Sequence, residues 1–142
     1  MIQFMKTVTL MIKPQTHVRS TQGDAIFFRI PEDKLQPSGL KRKKRLMRYN
    51  KYKTDLFDIA QENNFEIPDG YFHVIFYLPI PKYYPKKVRP QMHLRPHLKT
   101  PDIDNFFKGF LDSLKKRDQT VHDARIQKVW VDQEQGYIQI EY

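Results

Sequence analysis

The densest grouping of chemically capable residues is the run Pro101-Asp102-Ile103-Asp104-Asn105-Phe106-Phe107-Lys108, with a further carboxylate at Asp123. Two aspartates two positions apart, with a lysine four beyond the second, are the side chains that a hard divalent cation and a neighbouring phosphate require. The rest of the chain is basic: 25 Lys and Arg against 16 Asp and Glu give a formal net charge of +9 at pH 7. A surface of that sign repels metal ions unless acids are concentrated locally. Hydrolysis of a phosphodiester needs an activated water, neutralised phosphoryl oxygens and help for the leaving oxygen, all of which one or two bound divalent ions supply. Lys108 is then placed to orient water or to steady developing negative charge.

A plainer reading competes with this one. Asp-x-Asp-Asn ahead of an amphipathic helix also serves as a capping group, and for the tetrapeptide alone capping is the commoner use. Asp123 shifts the balance, because it precedes the strand-like run Arg125–Val131, which brings a third carboxylate back towards the first two. Three acids beside one lysine exceed what a cap needs. The nuclease pattern Pro-Asp…(Asp/Glu)-x-Lys is a rival on chemistry, but no acid after Asp102 is followed two positions later by lysine.

The elements that must position these residues can be read from the pattern of apolar side chains. Pro101 favours extended backbone at Thr100, so the chain is expected to reach Asp102 and Asp104 without helix, with both carboxylates on one side. A helix is expected from Asp104 or Asn105, because Asp and Asn are good N-caps and Phe106, Phe107, Phe110, Leu111 and Leu114 share a face. Lys108, Asp112 and Lys115 fall on the opposite arc, and Lys108 lies four residues from Asp104, hence on its side. Upstream, Ile2–Ile12 reads as a strand and Ala25–Ile30 as its hairpin partner. Pro31, Pro37 and Gly39 punctuate a loop, and Leu40–Asn64 is expected to be helical, with Leu46, Met47, Tyr49, Leu56, Phe57 and Ala60 along a stripe. Pro68-Asp69-Gly70 signals a turn before a strand over Tyr71–Ile80, and the proline-rich 82–99 stretch reads as irregular loop. Phe27, Phe28, Phe72, Phe76 and Trp130 are expected in the core.

With 142 residues, the chain is the size of one domain spanning 1–142. The absence of cysteine excludes disulfides, thiolate zinc sites and a cysteine nucleophile, and fits a reducing compartment. No apolar run approaches the roughly 20 residues that cross a bilayer, and the N-terminus lacks the layout of a signal peptide, so a cytoplasmic protein with no membrane partner is expected. A pI near 9.7 favours a polyanionic partner, most commonly nucleic acid.

The segment from Thr100 to Lys128 resembles the signature of RusA-type endodeoxyribonucleases, which resolve Holliday junctions. The similarity lies in Pro-Asp-x-Asp-Asn-x-x-Lys, in Leu111-Asp112-x-Leu114, and in Asp123 ahead of the strand through Ile126 and Lys128. A fainter likeness extends to Lys13-Pro14 and Arg19, matching the family's basic turn, and to Arg48-Tyr49-Asn50-Lys51-Tyr52-Lys53. The resemblance implies an α+β fold around a mixed β-sheet packed by helices, and a homodimer whose two sites cut opposing strands of a four-way junction. It makes Asp102, Asp104 and Asp123 the carboxylates that hold Mg2+, with Mn2+ as a substitute, and Lys108 the essential active-site lysine. Many relatives carry two acids where this chain has His122-Asp123; the histidine offers a ligand, a hydrogen bond, or nothing.

DNA contacts are expected from Arg19, from Lys41, Arg42, Lys43, Lys44 and Arg45, and from Arg48, Lys51 and Lys53, which can neutralise phosphates. A solvated basic face is the alternative use of that run. A second candidate surface is Lys82-Tyr83-Tyr84-Pro85-Lys86-Lys87 with Arg89 and Arg95, where tyrosines can stack on exposed bases or serve as core or dimer contacts. The expected function is a magnesium-dependent, structure-selective endodeoxyribonuclease acting on Holliday junctions in recombination, repair or phage DNA processing. The alternatives are a non-catalytic nucleic-acid-binding protein with a structural acidic cluster, and a nuclease for flaps or single strands.

Overall fold

The computed structural model describes residues 5–142. Four strands, β1 (Thr7–Leu10), β2 (Phe72–Pro79), β3 (Ala124–Val131) and β4 (Tyr137–Glu141), form one mixed sheet in the order β1-β4-β2-β3. β2 and β3 run parallel, Phe72 opposite Ala124 through Pro79 opposite Val131, whereas β4 is antiparallel to both β1 and β2. Among the described residues the α-helices are α1 (Ala25–Arg29), α2 (Pro37–Glu62), α3 (Arg89–Met92) and α4 (Ile103–Ser113). The fold is thus α+β with a mixed sheet.

β2 carries the core because five consecutive residues, Phe72–Phe76, are buried, as a strand covered on both faces requires. α4 packs on it through Phe106 and Phe110, whose rings lie 5.6 and 6.1 Å from that of Phe76. Phe107 meets Phe72 at 6.1 Å. α2 adds Leu46, Tyr49, Tyr52, Leu56 and Ala60 to the same core.

Several sequence expectations are corrected. Ala25–Ile30 is not a hairpin strand but the short helix α1, and the partner of β1 is β4 at the far end of the chain. Six residues rich in Phe and Ile carry no decisive period, and tertiary contacts decide between helix and strand. Phe28 is 47% exposed and Phe27 half-buried, so neither belongs to the core, whereas Phe72, Phe76 and Trp130 do. α2 begins at Pro37, three residues before Leu40. Proline at the first helical position suits a helix start, and Gly39 sits where an added Cβ would lie 3.1 Å from the Phe27 ring. Met47 leaves the expected stripe and is exposed, while Tyr52 is buried. Ile2–Phe4, part of the first expected strand, lie outside the described residues.

The expected 82–99 loop contains α3 and is then stitched to the outer edge of β3. Leu94 N–H donates to the Trp130 carbonyl, Trp130 N–H to the Arg95 carbonyl, and His97 N–H to the Lys128 carbonyl. The edge of β3 is therefore capped by chain, which removes an open template for pairing.

Candidate active site and nucleic-acid interface

The helix carrying the acids starts at Ile103, one or two residues earlier than its sequence suggests. Asp102 is the N-cap of α4, extended at φ −71° and ψ 150°, and Asp104 is already in the first helical turn. The two carboxylates are therefore not neighbours on an extended stretch; they are grouped at the positive end of a helix dipole. Asp102 occupies the capping position, yet its carboxylate makes no capping hydrogen bond. Asp102, Asp104, Lys108 and Asp123 are all exposed, and none forms a salt bridge among the described residues.

Asp123 immediately precedes β3, whose first residue, Ala124, pairs with Phe72. Phe72 in turn packs on Phe107, so the start of β3 and the middle of α4 converge through that aromatic pair. A second tie joins the two elements. Lys128, from the middle of β3, donates to the Lys99 carbonyl at 2.5 Å and to the Pro101 carbonyl at 2.7 Å. The strand that follows Asp123 thereby holds the turn that delivers Asp102. Nothing in the spacing along the chain signals this, because the partners are 27 and 29 residues apart. Among the described residues no three His, Asp or Glu side chains form a ready-made metal cluster. The donor set itself, carboxylate oxygens with no committed cationic partner, has the chemistry a hard cation takes.

His122 does not turn to the acids: its Nε2 lies 3.0 Å from the Asp69 carbonyl. Lys116 pairs with the Asp69 carboxylate at 2.8 Å and holds its pKa down. Asp112 is also engaged, accepting from the Tyr49 hydroxyl at 2.8 Å with the Lys53 ammonium 3.8 Å away. Burial, and then the Asp112 carboxylate, push the Tyr49 hydroxyl well above its ordinary pKa.

A close approach fixes the other side of α4. Gly109 faces the 15–17 segment so tightly that an added Cβ would lie 3.1 Å from the Gln15 carbonyl oxygen and 3.2 Å from the His17 nitrogen. His17 N–H donates to the Asn105 carbonyl at 3.0 Å. The segment after β1 is thus laid along the helix bearing the acids.

The basic run divides into committed and free side chains. Arg42 binds Asp24 through two nitrogens, at 3.1 and 2.9 Å, and also donates to the Arg19 carbonyl. The Arg42 guanidinium, with Thr21 N–H, lowers the Asp24 pKa to about 2. Lys43 lies 3.8 Å from Glu32 and over the Phe28 ring, and Lys51 pairs with Asp55. Arg19, Lys41, Lys44, Arg45, Arg48, Lys86 and Lys87 are exposed and form no salt bridge among the described residues. In the second basic segment Arg89 is structural, donating to Asp132 and to the Ile80 and Pro81 carbonyls. Arg45 and Arg48 are four and seven residues from Lys41, so these three share one face of α2.

The family model for endodeoxyribonuclease RusA matches residues 31–141. The chain belongs to the RusA family. The match runs from just before α2 to the end of β4, so it includes Asp102, Asp104, Lys108 and Asp123. No curated protein matches the chain significantly. The activity attached to the RusA family is that of an endodeoxyribonuclease resolving Holliday junctions, and no described helix is long and apolar enough to cross a membrane.

Proposed function

We propose that residues 1–142 form one magnesium-dependent, structure-selective endodeoxyribonuclease unit that resolves four-way DNA junctions as a homodimer, in the cytoplasm, during recombination, repair or phage DNA processing. The observation that carries this reading is the RusA match over 31–141, which takes in three exposed carboxylates and a lysine, none in a salt bridge among the described residues, within a chain of charge +9. Acids left without cationic partners in so basic a protein cost electrostatic stabilisation that pairing would recover, and a bound cation accounts for leaving them free.

Asp102, Asp104 and Asp123 would hold Mg2+, or Mn2+ in its place, which when bound supplies charge neutralisation and a lowered water pKa. The carboxylates also accept hydrogen bonds from a water and so orient its lone pair. Lys108 donates N–H to a phosphoryl oxygen as negative charge builds there, a contact worth most in the transition state. Lys128 keeps the Lys99–Pro101 turn, and with it Asp102, in place. Lys41, Lys44, Arg45 and Arg48 neutralise backbone phosphates along one face of α2. Two copies of this arrangement are what paired cuts on opposing strands demand.

The non-catalytic alternative draws on one specific observation, that the described acids do not already form a three-ligand cluster. One experiment separates the readings: purified protein is incubated with a labelled four-way junction and with the matching linear duplex, with and without Mg2+. Symmetric nicking of the junction alone, only with the ion, is expected. Tight junction binding with no cleavage under any divalent ion would favour the binding protein.

A further inference from the structure

Next to the turn that leads into Asp102 lies a cleft of about 560 Å3, bounded by α2, the 13–18 segment, the end of β2 and the 99–101 turn. Its volume is that of a pocket for a small molecule or one nucleotide, not of a groove for a duplex. Two kinds of group converge on it. Arg45 and Arg48 line it from α2, Lys13 and Lys99 line it as well, and none of the four forms a salt bridge among the described residues. The other lining is aromatic. Tyr83 stacks on Tyr84 with ring centroids 4.9 Å apart, Tyr84 lies 6.3 Å from Trp130, and His97 lies 4.1 Å from Trp130.

Two features of this cluster are not explained by folding. Tyr83 is 81% exposed, so the stack ends in an aromatic face open to solvent. His97 is only 5% exposed, and its Nδ1 is buried with no hydrogen-bond partner among the described residues. Burial, and then the Lys128 charge, lower the His97 pKa and favour the neutral ring. A buried polar atom left unpaired is rare. Thr100 and Pro101 line the cleft, and the next residue is Asp102.

We propose that this cleft takes one unpaired nucleotide of the DNA strand to be cut, its base against the Tyr83–Tyr84 stack and its flanking phosphates on Arg45 and Arg48. The proposal deepens the nuclease reading and rests on it for the identity of the strand. Paired bases in a duplex present no free face for stacking, whereas a nucleotide splayed out at a branch point presents both a π face and polar base edges. Seating such a nucleotide here delivers the adjoining phosphate to the turn that leads into Asp102.

The test needs neither metal nor cleavage. Trp130 is the sole tryptophan of the chain and lines the cleft, so its emission reports occupancy. A single-stranded tetradeoxynucleotide and its fully abasic counterpart, equal in charge, are titrated in EDTA against the wild-type protein, Tyr83→Ala and Asp104→Asn. The base-bearing strand is expected to perturb Trp130 emission and to bind about tenfold tighter than the abasic one, in line with one stacked base. Tyr83→Ala, at an exposed position that leaves the fold intact, should erase that preference, and Asp104→Asn should keep it. Equal binding of both strands to the wild-type protein, or a full preference in Tyr83→Ala, would overturn the proposal. So would a free mononucleotide that binds as tightly as the tetranucleotide, which would make the cleft a small-molecule site. A wild-type protein that shows this preference yet cuts no junction in Mg2+ would count against the nuclease reading alone.

Discussion

Replacing Lys128 with Met keeps the aliphatic stem and removes the ammonium that grips the Lys99 and Pro101 carbonyls at 2.5 and 2.7 Å. Hydrogen bonds to a charged group contribute about 1.5–3 kcal/mol each, and because this ammonium is partly open to water we assign the two together about 2 kcal/mol. At 1.4 kcal/mol per factor of ten, local opening of the turn should rise about 30-fold. The amides that report it are His97, bonded to the Lys128 carbonyl, and Asn105, bonded to the Asp102 carbonyl. Hydrogen exchange at both should accelerate by a comparable factor. Single-turnover cleavage of a saturating junction complex should fall roughly tenfold, since even small misplacement of a catalytic group is costly. Unchanged exchange at His97 and Asn105 together with wild-type cleavage would refute the claim that Lys128 positions Asp102.

Three further outcomes follow from the same geometry. Lys108→Ala or Lys108→Gln should lose nearly all turnover while junction binding persists, with Lys108→Arg recovering part; a normal single-turnover rate in Lys108→Ala would reduce the lysine to a solvated helix residue. Replacing Lys44, Arg45 and Arg48 together by Ala should flatten the log–log salt dependence of junction binding by up to about 0.9 for each phosphate they had neutralised. Arg42→Ala, which removes a cation already committed to Asp24, should leave that slope unchanged. In acid, the Arg42–Asp24 pair has a defined window: the folded pKa of about 2 lies below the ordinary 3.8, so its stabilisation is complete above the latter and is lost as pH falls through the former. Thermal melts between pH 5 and pH 2 should therefore show a steeper loss in the wild-type protein than in Arg42→Ala.

The parts of the molecule that could be read from sequence are those whose pattern is local. α4 was legible because Phe106, Phe110 and Leu111 recur at helical spacing, and β2 because an aromatic and β-branched run follows Pro68-Asp69-Gly70. α4 starts at Ile103, one or two residues before the position its sequence suggests, which changes the relation of Asp104 to Asp102. α1 was misread because a short apolar run fits either period, and its identity depends on the loop that Asp24 and Arg42 tie down. The pairing of β4 between β1 and β2 is a long-range event that no local signal encodes. Arg42 and Arg89 looked like DNA ligands by type, yet each is consumed by a carboxylate and by backbone carbonyls. The grip of Lys128 on the 99–101 turn and the meeting of Arg45, Arg48, Tyr83 and His97 around one cleft are likewise products of the tertiary fold.

The central claim is that the exposed carboxylates of α4 and the β3 entrance perform phosphodiester cleavage. Its most direct measurement compares the wild-type protein with Asp104→Asn on an end-labelled four-way junction in Mg2+, both at saturating protein so that occupancy is equal. The amide keeps the shape of the side chain and removes its charge. Symmetric strand cuts are expected from the wild-type protein and none from Asp104→Asn, with junction binding equal or stronger in the variant. Full cleavage by Asp104→Asn at equal occupancy would contradict the claim.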